Sequence, residues 1–307
     1  MARGNKTWSR SMSIAIDLSQ LPVPKIVEEI DYESILAELL DDLAYRFPEL
    51  DIPAESDPSY KILEVAAYRE MLVRQRVNEA ARAVMLAYSE DEDLDNLGAL
   101  FNVKRLQTYP GNIYSIPPKP PEYETNADFR RRILLSLEGL STAGPEGAYV
   151  FHALSASGSV LDASATSPTP GDVVVTVLAR TGNGTAPPAL LETVNNAVSA
   201  ETVRPLTDHV IVRAATIVQY AIRATLFFYP GPDSAVVLQD AREEAQKYAA
   251  RQHRLGMDIT LSGVYAALHR PGVQRVELAS PTATQTINRQ QAAYCTAIEL
   301  TDGGVDE

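Results

Sequence analysis

The sequence predicts an α+β protein: an N-terminal helical region with a long helix, then two small repeated helix-on-sheet α+β domains. Three observations predict this class. Residues 58–88 carry apolar side chains at helical spacing, and residues 107–125 hold five prolines. From residue 126 onwards, short valine-rich runs alternate with alanine-rich runs. A helical part, an extended connection and a mixed half therefore follow in that order.

Composition indicates a globular chain with real cores. Its 307 residues, 45% of them hydrophobic, suffice for two or three folded units. No apolar run reaches eighteen residues and the basic N-terminus lacks the apolar stretch of a secretory signal, so we expect no membrane insertion. The single cysteine, Cys295, lies in an alternating strand pattern from Tyr294 to Leu300. This pattern favours a buried or half-buried thiol over a nucleophile. A single cysteine cannot form an internal disulfide, so we expect a cytosolic compartment.

The N-terminal region divides into an arm and a helical domain. Residues 1–25 are polar and contain prolines, which predicts a flexible arm that orders on assembly, with Met12 as an alternative start. Residues 26–106 form the predicted helical domain. Its first helix runs from Tyr32 to Phe47, where Pro48 stops it.

The second predicted helix has a marked start and a two-sided surface. Asp57 can accept the free amide hydrogens of the first turn, and Pro58 fits the first helical position. One face carries seven apolar residues: Ile62, Ala66, Val73, Val77, Ala80, Val84 and Ala87. An unbroken helix to Tyr88 would be about 45 Å long.

Two interpretations of this apolar face stay open. It is either the core side of a helix within its own domain, or an assembly interface on which a helix of another subunit packs. The length exceeds what one small domain covers, and alanine side chains let a second helix approach closely. Arg69 and Glu70 also belong to this stripe, and a closed core would have to pair them.

The formal net charge of -13 is concentrated in one segment. From Glu28 to Asp57 there are eleven acidic residues and one basic residue, Arg46, a net of -10. An acidic surface repels phosphate, so we expect no nucleic-acid binding and predict a partner with a basic surface. The basic run Arg130–Arg132 lies on a predicted helix and is interpreted as a solvated or ion-pairing face.

Five prolines make residues 107–125 a predicted extended linker. The chain beyond it divides into two α+β domains, residues 126–216 and 217–307. A weak internal repeat supports this division, because Phe151-x-Ala-Leu-x-x-x-Gly158 recurs as Tyr265-x-Ala-Leu-x-x-x-Gly272, each time on a helix before a valine-rich strand. Chance recurrence of so short a motif is the alternative.

A second pair of motifs sets the expected order of elements. Arg204-Pro-Leu-Thr-Asp208 is echoed by Arg254-Leu-Gly-Met-Asp258, and each follows a strand and a helix. We therefore predict a helix-strand unit, two β-α-β units and a second helix-strand unit, packed as two sandwiches of helix on sheet. Local ion pairs, Arg204 with Asp208 and Arg254 with Asp258, would fix the strand entry.

A search for chemistry finds no catalytic, cofactor-binding or metal-ligating set. Asp91-x-Asp93-x-Asp95 begins like a calcium loop, but Asn96 and Asn102 replace the glycine and glutamate that such a loop needs. Ser89 and the acids from Glu90 to Asp93 are better interpreted as caps and favourable charges at the N-terminus of a helix from Leu94 to Phe101. The glycine-rich Thr181–Thr185 lacks a P-loop lysine, and each of the four histidines stands alone. We therefore expect no enzyme activity, no cofactor and no metal.

Four segments carry a family resemblance. They are residues 57–106, which begin DPSYKILEVAAYREML, then Ala127-Asp-Phe-Arg-Arg-Arg-Ile133, Leu140-Ser-Thr-Ala-Gly-Pro-Glu-Gly-Ala-Tyr149 and Arg204-Pro-Leu-Thr-Asp208. From about Ile16 to about Leu300 the chain resembles, in family order, the baseplate assembly protein J family of contractile-tailed phages and phage-tail-like bacteriocins.

The resemblance implies a structural role. Family members are wedge subunits that surround the tail hub and contact the sheath-initiating region, in a virion, an R-type bacteriocin or a related contractile injection system. Assembly takes place in the cytoplasm of the bacterial host. The resemblance also implies a homodimer of this chain that joins one copy of a different wedge protein and repeats as a ring. The alternative is an enzyme or ligand-binding protein with a cryptic site between the two α+β domains.

Overall fold

The computed structural model describes residue 18 and residues 28–49, 54–141, 143–231 and 233–305. Apart from Leu18, the predicted arm of residues 1–25 and the alternative start at Met12 lie outside the described residues. The chain divides into two compact units, Met1–Lys104 and Arg105–Glu307. The finer division into residues 26–106, 107–125, 126–216 and 217–307 stays a prediction.

The described part of the first unit contains α1 (Tyr32–Arg46), α2 (Pro58–Ala83) and α3 (Asp91–Leu100). The predicted start of α2 is confirmed, because the Asp57 carboxylate accepts a hydrogen bond from the Ser59 amide at 2.9 Å and proline occupies the first turn. Acidic residues fill the first turn of α3, which confirms their interpretation as charges at a helix N-terminus.

The long helix ends earlier than predicted. α2 stops at Ala83 rather than Tyr88, so its 26 residues span about 39 Å. Val84 is the C-cap, and the next residues form a turn in which the Met85 carbonyl accepts hydrogen bonds from the Tyr88 and Ser89 amides. No glycine or proline occurs between residues 59 and 97, so this stop has no local signal in the sequence.

α1 and α2 pack through a small apolar core. Its buried members are Ile35, Leu36 and Ala67, surrounded by the partly buried Ile30, Tyr32, Leu39, Leu40, Tyr60, Leu63 and Met71. The buried Asn78 side chain accepts a hydrogen bond from the Glu28 amide at 3.0 Å and donates one to the Glu28 carbonyl at 2.8 Å. These two bonds satisfy a buried amide and hold the chain that leads into α1 against α2.

The proline-rich stretch forms a short hairpin in the second unit. β1 (Gln107–Tyr109) pairs antiparallel with β2 (Glu122–Tyr123). Apart from Pro121 beside β2, its prolines lie in the loop, where a residue without an amide hydrogen costs no ladder bond. The hairpin packs closely on its own unit, because a Cβ on Gly158 would lie 2.1 Å from the Gln107 carbonyl oxygen.

The first α+β domain contains α4 (Asn126–Gly139), α5 (Glu146–Ala156), β3 (Val160–Thr166), β4 (Asp172–Ala179), α6 (Pro188–Val198) and β5 (His209–Ala214). β4 pairs antiparallel with β3 and parallel with β5, so α6 is the crossover of a β-α-β unit, as predicted. Its core packs Val175 and Val177 of β4 with Tyr149 and Ala153 of α5 and Val194 of α6.

The second α+β domain contains β6 (Thr216–Phe228), α7 (Ser234–Gln252), α8 (Leu261–Leu268), β7 (Val273–Ser280) and β8 (Gln291–Val305). β6 is central, antiparallel to β7 and parallel to β8. The prediction of a second β-α-β unit is wrong, because the segment after α7 leads into the helix α8 and not into a strand parallel to β6. Thr260 caps that helix, and the Asp258 carboxylate accepts a hydrogen bond from the Ile287 amide.

The two domains share one plan. α5 and α6 cover the first three-stranded sheet, and α7 and α8 cover the second, which confirms the predicted sandwiches of helix on sheet. Ala215 alone separates β5 from β6, so one nearly continuous strand runs through both sheets.

This architecture makes a proteolysis prediction. Because the 107–125 hairpin is part of the second unit, the first trypsin cut beyond the predicted arm of residues 1–25 should fall near Lys104 and leave a stable fragment that begins there. Mass spectrometry of an early digest checks this. First cleavage inside residues 173–212, which lie in and around the first sheet, would contradict it.

Candidate assembly surfaces

The predicted interface residues of α2 lie at the protein surface. Ile62, Val73 and Val77 are 69%, 63% and 55% exposed, and Ala66 and Ala80 are exposed beside them. The remaining two of the seven predicted residues are not on the helix. Val84 is its exposed C-cap and Ala87 lies, partly buried, in the following turn.

The side of α2 that faces α1 is a different one. It carries Tyr60, Leu63, Ala67, Met71 and Asn78, of which Ala67 and Asn78 are buried. α1 therefore does not cover the predicted stripe, and its role as an assembly interface stays a prediction. The sequence pattern fits two apolar faces, and only the packing of α1 selects between them.

Sequence reasoning missed two apolar residues on the exposed side. Val65 lies three residues after Ile62, and Leu72 lies three residues after Arg69. Residues three apart are neighbours on a helix surface, so this spacing could have identified both as part of the same side. We define the outer face of α2 as the following exposed residues: Ile62, Val65, Ala66, Arg69, Leu72, Val73, Arg76, Val77 and Ala80.

The outer face carries positive charge and no acid. Arg76 contacts Glu79 at 3.6 Å, and Arg69 makes no ion pair with any residue that the structure describes. Glu70 lies towards α1, where its carboxylate contacts Arg74 at 2.6 Å. The outer face is therefore an apolar strip with two guanidinium groups along it.

The acidic segment lies on α1 and its flanks. Arg74 of α2 lies 3.9 Å from Glu28 and 3.4 Å from Glu38, which offsets part of this charge. Glu33, Asp41 and Asp42 are exposed on α1. Exposed carboxylates of this density favour a partner with basic side chains.

In the second unit, a charged cluster joins the two α+β domains. Asp128 of α4 contacts Arg180 at 3.0 Å and Arg254, after α7, at 2.7 Å. Arg254 also donates to the Leu161 carbonyl of β3. Burial alone would raise the pKa of Asp128, but Arg254 and Arg180 outweigh it and hold that pKa below its ordinary value.

A second carboxylate strengthens the same junction. Asp162 of β3 accepts hydrogen bonds from Arg131 at 2.8 Å and from the Leu255 amide at 2.9 Å. The Asp162 carboxylate raises the pKa of Arg131. Leu178, Ala215 and Ala292 form an apolar cluster that includes residues of both domains. Charged and apolar contacts therefore tie the two sheets into one unit.

The basic run on α4 is an ion-pairing face, one of its two predicted roles. Arg132 is buried and its guanidinium contacts the buried Glu124 at 2.6 Å. Glu124 also accepts a hydrogen bond from the Leu106 amide at 2.9 Å, which links the hairpin to α4. This bidentate, desolvated pair anchors the proline-rich stretch.

The predicted local ion pairs of the repeated motifs are wrong. Arg204 donates to the carbonyls of Ser199 and Asp208, while the Asp208 carboxylate accepts from the Tyr149 hydroxyl at 2.7 Å. Arg254 turns to Asp128 instead of Asp258. Tertiary partners therefore outcompete the sequence neighbours at both motifs.

Candidate chemistry is sparse in the described residues. Three histidines each contact a single oxygen atom: His152 that of the Gly139 carbonyl, His209 one of the Asp172 carboxylate, and His253 that of the Ala293 carbonyl. His269 is exposed. No group of three His, Cys, Asp or Glu residues in that part of the chain could hold a metal ion. Burial raises the pKa of the Cys295 thiol, which disfavours the reactive thiolate.

An open cavity of about 400 Å³ lies on the first α+β domain, and Arg289 of the second domain lines one part of it. Tyr149, Ala165 and Val173 line it together with the ion-paired Glu146 and Arg289. Its ionisable groups already bind one another, so no free acid or base is aimed into it. No described helix combines the length and the apolar character that crossing a membrane requires.

Comparison with known families finds matches in three parts of the chain. Three family models match it: the Baseplate J-like N-terminal domain over residues 55–112, the Baseplate J-like central domain over residues 141–214, and the Baseplate J-like protein C-terminal domain over residues 220–301.

The chain belongs to the baseplate J-like family. It is 50% identical over 299 residues to Baseplate protein J of Escherichia phage P2, and the alignment covers 95% of this chain and 99% of that protein. Membership supports a structural role in a phage baseplate and suggests a non-enzymatic protein.

Each family match covers particular elements of the fold. In this baseplate J-like chain, the N-terminal match contains α2 and hence the outer face. The central match contains β3–β5, and the C-terminal match contains β7 and most of β6 and β8.

Proposed function

We propose that the chain is a structural wedge subunit of a contractile baseplate that assembles around the tail hub and links it to the sheath-initiating region. Its partners are a second copy of itself, other wedge proteins, and the hub and sheath-initiating proteins. The particle is a virion or a tail-like bacteriocin, assembled in the host cytoplasm. The chain binds no nucleic acid, enters no membrane and catalyses no reaction.

The exposed outer face of α2 is the observation that carries this proposal. A helix of 26 residues that exposes an apolar strip along most of its length is unfavourable in water, whereas a partner helix would bury that strip. The alternating small and branched residues suit helix-on-helix packing. The outer face is therefore the main assembly interface in this proposal.

Charge indicates what the partners supply. A helix that covers the outer face would best offer a carboxylate to Arg69, since Arg76 already contacts Glu79. The acidic α1 would best meet basic side chains on a second surface. A wedge subunit that contacts two different proteins meets both requirements.

The alternative of an enzyme or ligand-binding protein with a cryptic site gains no support from a specific contact. The cavity takes only Arg289 from the second α+β domain, and its ionisable groups are already paired, Glu146 with Arg289 and Tyr149 with Asp208. Catalysis would need a base, a nucleophile or an ion directed at open space.

The proposed function is tested by co-expressing the chain with its neighbouring tail proteins and measuring complex masses by native mass spectrometry. We expect a complex with two copies of this chain and one copy of a different wedge protein. Labelling with antibody should place the chain at the tail end of intact particles. A chain that stays monomeric in every mixture, or that is absent from particles, would refute the proposal.

A further inference from the structure

An ordered apolar loop projects from the second unit between β1 and β2. Its residues Ile113, Tyr114 and Ile116 are 74%, 89% and 100% exposed. Single exposed apolar residues are normal, but three within four positions of one loop form a patch that indicates an interaction. We call these three residues the apolar tip.

Hydrogen bonds fix the loop that carries the tip. Asn112 and Lys119 exchange two backbone hydrogen bonds of 2.8 and 2.9 Å across it. The Asn112 side chain accepts from the Tyr114 amide at 2.9 Å, and the Ser115 hydroxyl lies 2.8 Å from the Asn112 carbonyl oxygen. Because the loop is ordered before it meets a partner, binding loses little conformational entropy.

The two arms of the loop also touch directly. Gly111 has φ +81°, and a Cβ there would lie 2.8 Å from the Pro121 nitrogen. Only glycine combines this backbone conformation with so close an approach. The two arms therefore stay in contact at the base of the loop, while the tip is exposed.

The cavity described above offers a matching surface in the same unit. Of its lining residues, the apolar Ala165 is buried and Val173 is half-buried, whereas the polar Ser167 and Arg289 are exposed. An apolar lining with a few polar groups is the usual form of a binding pocket. A tyrosine suits it, because the ring can cover the apolar residues while the hydroxyl meets the polar ones.

We propose that the apolar tip of one copy docks in this cavity of a neighbouring copy, with Tyr114 as the inserted side chain. The proposal rests on the proposed function, because the particle must hold the copies side by side. Tip and cavity are different surfaces, so the contact is heterologous and passes from each copy to the next. Such a contact closes into a ring when the rotation between copies allows it.

Area indicates why the occupant is an adjacent copy rather than a protein recruited from solution. The three exposed side chains supply less than about 750 Å², since even a large aromatic residue buries no more than about 250 Å². A stable interface needs about 800 Å² on each partner. The tip contact is therefore too small to hold a free partner and should form only where other surfaces keep the copies close.

Cysteine cross-linking in assembled particles tests this contact. In a Cys295→Ser background, Tyr114→Cys and Ser167→Cys are combined in one chain and treated with a short thiol cross-linker. We expect non-reducing gels to show bands at the masses of two and more copies of the chain. The control pair replaces Ser167→Cys with Thr181→Cys, an exposed loop position that does not line the cavity, and should give none.

A second variant keeps the test decisive if the cysteines disturb folding. Tyr114→Ala with Ile116→Ala should leave the thermal midpoint of the isolated chain unchanged, while the yield of intact particles falls at least tenfold. The control, Lys119→Ala on the same loop, should change neither the thermal midpoint nor the yield. In particles that contain the chain, the tip contact would be overturned if the cysteine variant forms no cross-link or cross-links to a different protein. It would also be overturned if the alanine variant gives a normal yield of particles. Particles that lack the chain would refute the proposed function instead.

Discussion

Replacing Val73 and Val77 with aspartate should abolish incorporation of the chain into particles while the isolated chain stays folded. Both side chains are more than half exposed, so the new carboxylates remain in water and the free energy of unfolding should change by about 0.5 kcal/mol or less per site. In an assembled helix seam, each carboxylate would enter an apolar contact at a cost of several kcal/mol. Complementation plating, with circular dichroism of the purified chain, measures the two effects.

A matched control adds the same charge elsewhere. Gln75→Asp with Asn96→Asp also introduces two carboxylates at exposed helical positions, but neither lies on the outer face. This variant should assemble normally. If Val73→Asp with Val77→Asp unfolds the isolated chain, the outer face is core; if that variant assembles as well as the control, the face is not an interface. Val84 is a poor site for this test because it lies beyond the end of α2.

Replacing Asp128 with asparagine should destabilise the second unit by on the order of 3 kcal/mol, because it leaves Arg180 and Arg254 without their shared carboxylate. The figure is at the low end for a broken buried pair, since both guanidinium groups are about a quarter exposed. For a unit of this size the thermal midpoint should fall by about 6–12 °C. Differential scanning calorimetry measures it.

The pH dependence of this effect has a definite sign. The pKa of Asp128 is lowered in the folded chain, so its stabilisation is fully present above the unfolded pKa of about 3.9 and is lost as pH falls through the lower folded value. The difference in midpoint between the natural chain and the Asp128→Asn variant should therefore shrink below about pH 4. A constant difference down to pH 2 would contradict the ion-pair explanation.

The exposed pair Arg270–Asp240 provides the control for this substitution. Its groups are 33% and 45% exposed, so Asp240→Asn should lower the free energy of unfolding by about 1 kcal/mol or less. Equal effects of Asp128→Asn and Asp240→Asn would show that the cluster between the two α+β domains contributes no more than a surface pair.

Local sequence signals predicted the elements that depend on local physics. The Asp57–Pro58 start of α2, the acidic first turn of α3, and the strand from Asp172 to Ala179 all lie where the residue pattern places them. Each depends on capping, helix dipole or β-branched side chains, which act within a few residues. The segments that resemble the baseplate J-like family likewise needed no structure to be recognised.

Tertiary structure decided what depends on partners distant in sequence. α2 has apolar residues on two sides, and only the packing of α1 made Leu63 and Met71 internal and left Val73 and Val77 outside. Asp128 and Arg254 are 126 residues apart, so their pair has no spacing to detect.

The sequence by itself therefore determined the α+β class, the helix starts and the family. The three-dimensional packing decided which face of α2 is free, where that helix ends, which strand pairs with β6, and how charges join the two sheets. The physical reason is range: capping and side-chain periodicity act between near neighbours, whereas burial is defined only once distant segments meet.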